Sequence, residues 1–132
     1  MRGPLPCQHA TGGAGLIKSE LKRWWQRWNW SWAGLRMAWK SEKSVRQWSV
    51  VCLLSCGLAL WLDLTGAERA LLLALSLLVV ASELINTAIE RTVDLITTET
   101  HPLAAQAKDA ASAFVVLTAM AGAVAWLAIL LG

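Results

Sequence analysis

Four polar residues share one face of an otherwise apolar segment in the second half of the chain. Asn86, Glu90 and Asp94 follow Glu83 by three, seven and eleven positions, which places all four within about 80° of one another on a helix. A carboxylate inside a membrane span costs roughly 2.5–3.5 kcal/mol on insertion scales, so such residues usually face a bundle interior and mark a functional site. The stripe covers about 10 Å between Glu83 and Glu90 at 1.5 Å per residue. We therefore expect it to run from inside the bilayer to the level of the lipid headgroups.

Three further charged residues stand just before apolar runs and complete this set. Glu42 precedes the first run, and Lys108 and Asp109 precede the third. Carboxylates at a water boundary suit Mg²⁺, which takes one or two protein carboxylates together with phosphate oxygens and water. A lysine suits phosphate charge, and a carboxylate partly removed from water is a stronger base. A base, a metal and a cation at one lipid interface indicate phosphoryl transfer to a lipid hydroxyl.

Each of these groups also has a purely structural interpretation. Glu83 could be a buried carboxylate bonded to Asn86 or to a neighbouring helix, and Glu90 and Asp94 could form a solvated helix end. Asp109 could simply complement a helix N-terminus. The corresponding non-enzymatic function is a membrane subunit or small transporter in which Glu83 binds a proton or an ion. That function predicts no dependence on ATP.

The elements that must position these residues are membrane helices. The chain has 132 residues, of which 56% are hydrophobic and only 16% charged, against about 25% charged in soluble domains; its mean hydropathy is +0.47. This composition excludes disorder, collagen-like repeats and a disulfide scaffold, and the length allows one domain. Residues 12–19 read GGAGLIKS, but Ile17 replaces the second glycine of a phosphate-binding loop, so a soluble nucleotide-binding fold is not indicated.

Three apolar runs are long enough, or nearly so, to cross a bilayer. They predict an all-α, polytopic membrane protein with three transmembrane helices. The third run is rich in alanine, which permits close helix packing in lipid. The predicted spans are 47–64, 70–94 and 108–131.

A basic, tryptophan-rich segment precedes the first span. Residues 1–47 hold nine Lys and Arg but only two acids, whereas the loop at 63–69 holds one base. This bias predicts a cytoplasmic N-terminus and an external loop. One face of the segment is apolar and the rest basic, the pattern of an amphipathic helix lying in the membrane interface, which we predict at 16–47. Residues 1–15 are predicted to be flexible, and residues 16–132 to form the single domain. The apolar face consists of Trp24, Trp28, Trp32, Leu35 and Trp39.

Three stretches carry a family resemblance. They read GLRMAWKSEKSVRQ at 34–47, ELINTAIERTVD at 83–94 and HPLAAQAKDAASA at 101–113. In order and spacing they resemble the prokaryotic integral-membrane diacylglycerol kinase family, which includes the undecaprenol kinases. The similarity runs from about Trp30 to the C-terminus, and the stretch at 83–94 is the most specific of the three.

The resemblance implies ATP-dependent phosphorylation of diacylglycerol to phosphatidic acid in the bacterial cytoplasmic (inner) membrane. It implies a homotrimer whose active sites are shared between protomers, with Glu83 as the general base and with Glu42 and Glu90 holding Mg²⁺. Phosphorylation of undecaprenol is the alternative activity within the same family. The positions that would contact ATP are Arg23, Trp30, Glu42, Asn86, Glu90, Asp94, Glu99, His101, Lys108 and Asp109.

A second set of positions corresponds to the lipid pocket of the family. These residues are expected to contact the lipid substrate, with Glu83 meeting its hydroxyl. The pair Arg46–Gln47 favours diacylglycerol over undecaprenol. The set consists of Trp32, Arg46, Gln47, Trp61, Arg69, Glu83, Ser112 and Trp126.

Overall fold

Four α-helices and no strand make up residues 13–132, the part of the chain that the computed structural model describes. The predicted flexible start at 1–15 lies almost entirely outside the described residues, and the first helix begins at Gly13. Side chains are described from Ile17 onward. The helices are α1 (Gly13–Ser41), α2 (Lys43–Trp61), α3 (Gly66–Ile96) and α4 (Pro102–Leu131).

Helices α2, α3 and α4 are long and apolar enough to cross a membrane, by length and composition. The prediction of an all-helical membrane protein with three spans is therefore confirmed. The observed bounds differ from the predicted ones. The first helix ends at Ser41, so residues 43–47 of the predicted interfacial helix belong to α2, which ends at Trp61, before the predicted 64. The last helix begins earlier than predicted, at Pro102. A helix can be longer than its apolar run, because charged residues mark only the point where it leaves the hydrocarbon and its backbone hydrogen bonds continue in water. Proline fits the first turn of α4 because it has no backbone N–H to leave unpaired there.

The described residues fall into two compact units, one ending at Arg36 and the other running over Met37–Gly132. In the first unit, the described α1 side chains, including Trp24 and Trp28, are exposed, except Leu35, which is half-buried. Arg23 pairs with Glu20 at 2.7 Å, and the guanidinium of Arg36 lies 5.5 Å from the ring centroid of Trp32. Placement of this basic, Trp-rich surface in the membrane interface stays a prediction.

In the second unit, α3 packs against both α2 and α4. Its buried residues are spaced by three or four positions, with two adjacent pairs at 82–83 and 86–87, so they lie on one face of the helix. Because α3 lies between α2 and α4, this face of the helix is removed from the surroundings, and it includes Glu83 and Asn86. The buried residues of α3 are Leu72, Ser76, Val79, Ser82, Glu83, Asn86 and Thr87.

A capping box fixes the start of α3. The Glu68 carboxylate accepts from the Thr65 backbone N–H at 2.8 Å, and the Thr65 hydroxyl oxygen accepts from the Glu68 N–H at 3.3 Å. Arg69 then donates to the carbonyl oxygens of Ala59 and Leu62 at the end of α2. Both N-terminal donors of α3 and C-terminal acceptors of α2 are thus satisfied in this short turn.

Replacing Thr65 with alanine is expected to lower the free energy of unfolding by about 1 kcal/mol, because one N-cap acceptor is lost. Reversible unfolding in detergent micelles measures this change. The matched control is Glu68→Gln, which keeps an acceptor for the Thr65 N–H and should cost less than Thr65→Ala, because it removes only the carboxylate charge at the helix N-terminus. Equal stability of Thr65→Ala and the parent protein would contradict the role given to this cap.

Candidate active site

The polar stripe of α3 is buried at its centre and opens toward the end of the helix. Glu83 is 4% exposed and Asn86 8% exposed, whereas Glu90 is half-buried and Asp94 exposed. The Asn86 side-chain N–H donates to the Glu90 carboxylate at 3.1 Å. The Asn86 carbonyl oxygen is buried and has no hydrogen-bond partner within the described residues. A buried acceptor without a partner calls for an explanation, and a ligand is one.

Glu83 is the deepest carboxylate of the stripe. Across residues 13–132, its carboxylate makes no hydrogen bond and no ion pair. The structural interpretation in which Asn86 satisfies Glu83 does not hold in this chain, because the Asn86 amide donates to Glu90. An unpaired carboxylate on a buried residue is costly, and ionisable residues inside a membrane span are usually functional. The geometry therefore favours a chemical role for Glu83.

Glu42 reaches α3 from the joint between α1 and α2. Its backbone N–H donates to the Ala38 carbonyl at 2.9 Å, and its extended conformation ends α1. The side chain does not cap α2. Its carboxylate accepts instead from the Arg91 guanidinium at 2.8 Å. Because Arg91 follows Glu90 directly, this pair ties the joint to the turn of α3 that carries Glu90.

Lys108 connects α4 to the end of the stripe. Its ammonium donates to the Asp94 carboxylate at 2.5 Å. Both residues line a cavity of about 450 Å³ at the loop between α3 and α4, together with Glu99 and His101. His101 also caps α4 by accepting from the Leu103 N–H. The cavity thus gathers one cation and two carboxylates beside a loop, an arrangement suited to a charged, water-soluble ligand.

A second, apolar cavity of about 550 Å³ lies between α2, α3 and α4. One hydrogen-bonded chain crosses its wall. The Trp126 indole N–H donates to the Ser55 hydroxyl at 2.9 Å, and the Ser55 and Ser76 hydroxyls are 2.7 Å apart. Ser76 in turn donates to the Leu72 carbonyl. These bonds connect α2, α3 and α4 in a cavity whose other lining side chains are apolar.

Replacing Ser55 with alanine is expected to destabilise the protein by about 1 kcal/mol, the upper half of the range measured for side-chain hydrogen bonds between membrane helices. The Trp126 N–H loses its acceptor in an apolar cavity, whereas Ser76 keeps its backbone partner. Reversible unfolding in detergent micelles measures the difference.

Ser49→Ala is the matched control, since the Ser49 hydroxyl donates only within its own helix, to Val45. It should change the free energy of unfolding by a few tenths of a kcal/mol at most. If both serine variants were equally stable, the chain from Trp126 to Ser76 would have no energetic weight.

The sequence model of the family described as prokaryotic diacylglycerol kinase matches residues 29–130. The chain belongs to this family. The diacylglycerol kinase of Escherichia coli (strain K12) is 41% identical over 118 residues, covering 89% of this chain and 90% of the relative. The diacylglycerol kinase of Pseudomonas aeruginosa is 42% identical over 131 residues and 98% of each chain. The diacylglycerol kinase of Helicobacter pylori (strain 26695) is 45% identical over 80 residues, covering 61% of this chain and 62% of the relative. The resemblance drawn from the three motifs is thereby confirmed.

Several residues that the diacylglycerol kinase resemblance assigns to the lipid lie away from Glu83. Trp61 and Arg69 lie at the opposite end of the α2–α3 hairpin, and fourteen residues separate Arg69 from Glu83, about 21 Å along a helix. Arg46 donates to the Trp39 and Lys40 carbonyls at the end of α1. Of the other positions assigned to the lipid, Gln47 and Ser112 are exposed in the second unit, and Trp32 lies on α1 in the first unit. Of the positions assigned to ATP, Asp109 is exposed in the second unit, and Arg23 and Trp30 lie on α1 in the first unit.

Two features of the site have no counterpart among the residues singled out from the sequence. Arg91 lies inside the 83–94 motif, but its partner Glu42 is 49 residues away, and no local pattern links them. Ser82 and Thr118 form a buried hydroxyl pair at 2.9 Å between α3 and α4, directly beside Glu83. Small hydroxyl residues in a span are a recognisable signal for helix packing, so this pair was open to prediction.

The oxygen donors of Glu42 and of the stripe on α3 are of the kind that a divalent cation such as Mg²⁺ takes. Glu42, Glu90 and the unpartnered Asn86 oxygen are hard oxygen donors, as Mg²⁺ requires. No group of three or more His, Cys, Asp or Glu residues capable of holding a metal occurs within residues 13–132. Such a donor set suits an ion that completes its shell with phosphate oxygens and water, as in kinases, and not an all-protein cage.

Proposed function

We propose that this chain phosphorylates diacylglycerol to phosphatidic acid, with ATP as the phosphoryl donor, at the cytoplasmic face of the bacterial inner membrane. The observation that carries the proposal is Glu83, a buried and unpaired carboxylate in a member of the prokaryotic diacylglycerol kinase family. Its relatives in Escherichia coli and Pseudomonas aeruginosa bear the name diacylglycerol kinase.

Glu83 is the general base in this proposal. Its carboxylate accepts the proton of the primary hydroxyl of the lipid while the hydroxyl oxygen attacks the γ-phosphorus of ATP. The bond from the γ-phosphorus to its bridging oxygen breaks, ADP leaves, and the lipid becomes a phosphate monoester. The proton then passes from Glu83 to water. In phosphoryl transfer of this kind, most of the rate comes from positioning and charge neutralisation.

The charged groups around the stripe bind the nucleotide. Lys108, held by Asp94, presents an ammonium to the phosphates, and Glu99 and His101 line the same cavity. Glu42 and Glu90 would hold Mg²⁺, with Asn86 beside them. When bound, Mg²⁺ neutralises phosphate charge and orients the transferred group. Arg23, Trp30 and Asp109 complete the nucleotide contacts that we propose.

The lipid stays in the bilayer during the reaction. The apolar cavity between the three spans has Trp126 in its wall, and its lining suits an acyl chain. We propose that Trp32, Arg46, Gln47, Trp61, Arg69 and Ser112 line the remaining path of the lipid.

The assembly that we propose is a homotrimer with active sites shared between protomers. The support is the family membership together with the large apolar faces of the spans, such as Leu53, Leu54 and Leu117, which are exposed in the single chain. Each protomer comprises one kinase domain at 16–132, with an interfacial helix and a cytoplasmic N-terminus.

Transfer of label from γ-labelled ATP in mixed micelles tests the proposal. Diacylglycerol and undecaprenol are offered in parallel tubes, with Mg²⁺ present or chelated. We expect label on diacylglycerol only, and only with the metal. Label mainly on undecaprenol would keep the chemistry and change the substrate, and no label on either lipid would overturn the proposed activity.

A further inference from the structure

Arg91 is the only described residue of α3 whose side chain bonds to the joint between α1 and α2. Its guanidinium donates to the Glu42 carboxylate at 2.8 Å and to the Ser41 hydroxyl at 2.5 Å, and it also contacts the Met37 sulfur. All four residues belong to the same compact unit. One side chain thus engages the last turn of α1 and the residue that separates α1 from α2.

Glu42 depends on this contact for its orientation. It occupies the N-cap position of α2 in an extended conformation (φ −107°, ψ 124°), yet its side chain makes no capping bond. Within the described part of the chain, Arg91 is the partner of its carboxylate. A glutamate side chain released from its partner regains rotamer freedom, and a ligand then has to order it again.

The pair leaves the carboxylate able to bind a second cation. Arg91 engages the Oε1 atom of Glu42, and an ionised carboxylate has about four lone-pair sites on its two oxygens. Arg91 also follows Glu90 in sequence, so the same turn of α3 supplies both the second proposed metal ligand and the anchor of the first. Neither acid has to leave its partner when a metal arrives.

We propose that Arg91 is a positioning residue that holds Glu42 in place for the divalent cation. This inference rests on the proposed function, in which Glu42 and Glu90 bind the metal of the nucleotide. Arg91 itself touches neither lipid nor phosphate in this role. Its removal therefore affects metal and nucleotide binding more than the chemical step.

The test compares Arg91→Gln, Arg91→Lys and the parent protein in two measurements. The first is the rise in thermal unfolding midpoint produced by Mg²⁺ with a non-hydrolysable ATP analogue, since a ligand of the native state stabilises it. The second is the Mg²⁺ concentration that gives half-maximal phosphorylation. For Arg91→Gln we expect this concentration to rise up to about tenfold, because the freed Glu42 side chain has to be ordered again when the metal binds. Turnover at saturating Mg²⁺ should stay within about threefold of the parent value.

Because Arg91→Lys keeps the positive charge next to Glu42, we expect it to recover most of the metal affinity. The recovery is incomplete because lysine lacks the planar fork with which arginine reaches three acceptors at once. Thr92→Ala is the matched control, because the neighbouring Thr92 hydroxyl donates only to the Ala88 carbonyl of its own helix. It should change neither measurement. If Arg91→Gln does not fold, the lysine variant alone still decides, since a two- to threefold rise in half-maximal Mg²⁺ is then expected.

If the Arg91 variants unfold at a lower temperature but show an unchanged Mg²⁺ titration, the proposal is overturned and Arg91 serves only to stabilise the fold. The same holds if Arg91→Gln binds Mg²⁺ and nucleotide as tightly as the parent protein. Failure of the proposed function looks different: the parent protein would then bind Mg²⁺ and nucleotide without labelling diacylglycerol, or would not bind them at all.

Discussion

Turnover of the Glu83→Gln variant is expected to fall about 10²–10⁴-fold, the usual contribution of a general base. Glutamine has nearly the volume of glutamate and is neutral, so the buried position on α3 accepts it without loss of packing. It cannot take the proton of the lipid hydroxyl. Label transfer from γ-labelled ATP to diacylglycerol in mixed micelles measures the loss.

Binding of Mg²⁺ and nucleotide separates this effect from misfolding. Because the carboxylate of Glu83 bonds to no other described residue, the variant should bind the nucleotide as tightly as the parent protein and unfold at the same temperature or higher. Glu68→Gln is the matched control, since it makes the same chemical change on the same helix but in the exposed capping box. Near-normal turnover of Glu83→Gln would remove Glu83 from the mechanism and return it to the class of buried structural carboxylates.

Replacing Glu90 with glutamine is expected to raise the Mg²⁺ concentration needed for half-maximal activity about 10–100-fold. Loss of a supporting residue alone typically costs that much in a metal site, so for a direct ligand this is a lower bound. The glutamine oxygen can still accept from the Asn86 amide, which now donates to Glu90 at 3.1 Å. The substitution therefore removes the charge while keeping the hydrogen bond.

A Mg²⁺ titration of the phosphorylation rate is the measurement, with ATP saturating at each point. Activity that returns when Mg²⁺ is raised would identify weakened metal binding, and activity that never returns would indicate that the Glu90 charge is also needed in the transition state. The Glu68→Gln protein again provides the control for the same change elsewhere on α3. A titration curve that coincides with that of the parent protein would count against Glu90 as a metal ligand.

The hydrogen bond from Asn86 to Glu90 affects the interpretation of both the Glu83→Gln and the Glu90→Gln variants. It fixes one end of the Asn86 amide and leaves the carbonyl oxygen buried and unpartnered. Binding of a cation or a hydrogen-bond donor to this oxygen is favourable, because the oxygen has already lost its water in the folded protein and no desolvation cost remains. Glu83 and Asn86 are therefore both prepared for a ligand, one turn apart on the same face of α3.

Much of this protein follows from the sequence alone, because the signals are local. Hydropathy fixes the three spans, since a membrane helix must bury a continuous apolar run. The spacing of Glu83, Asn86, Glu90 and Asp94 fixes the polar stripe, because helical periodicity needs no knowledge of the partner helices. The three motifs then identify the family.

Only the tertiary structure decided which polar groups bond to one another. Asn86 lies about as close in sequence to Glu83 as to Glu90, and spacing alone permits either bond; in the folded chain its amide donates to Glu90 and leaves Glu83 unpaired. Arg91 and Glu42, 49 residues apart, meet because α3 packs against α2 and carries the arginine to the start of that helix. Side-chain rotamers and helix packing select these partners, and neither is encoded in the spacing of residues along one helix.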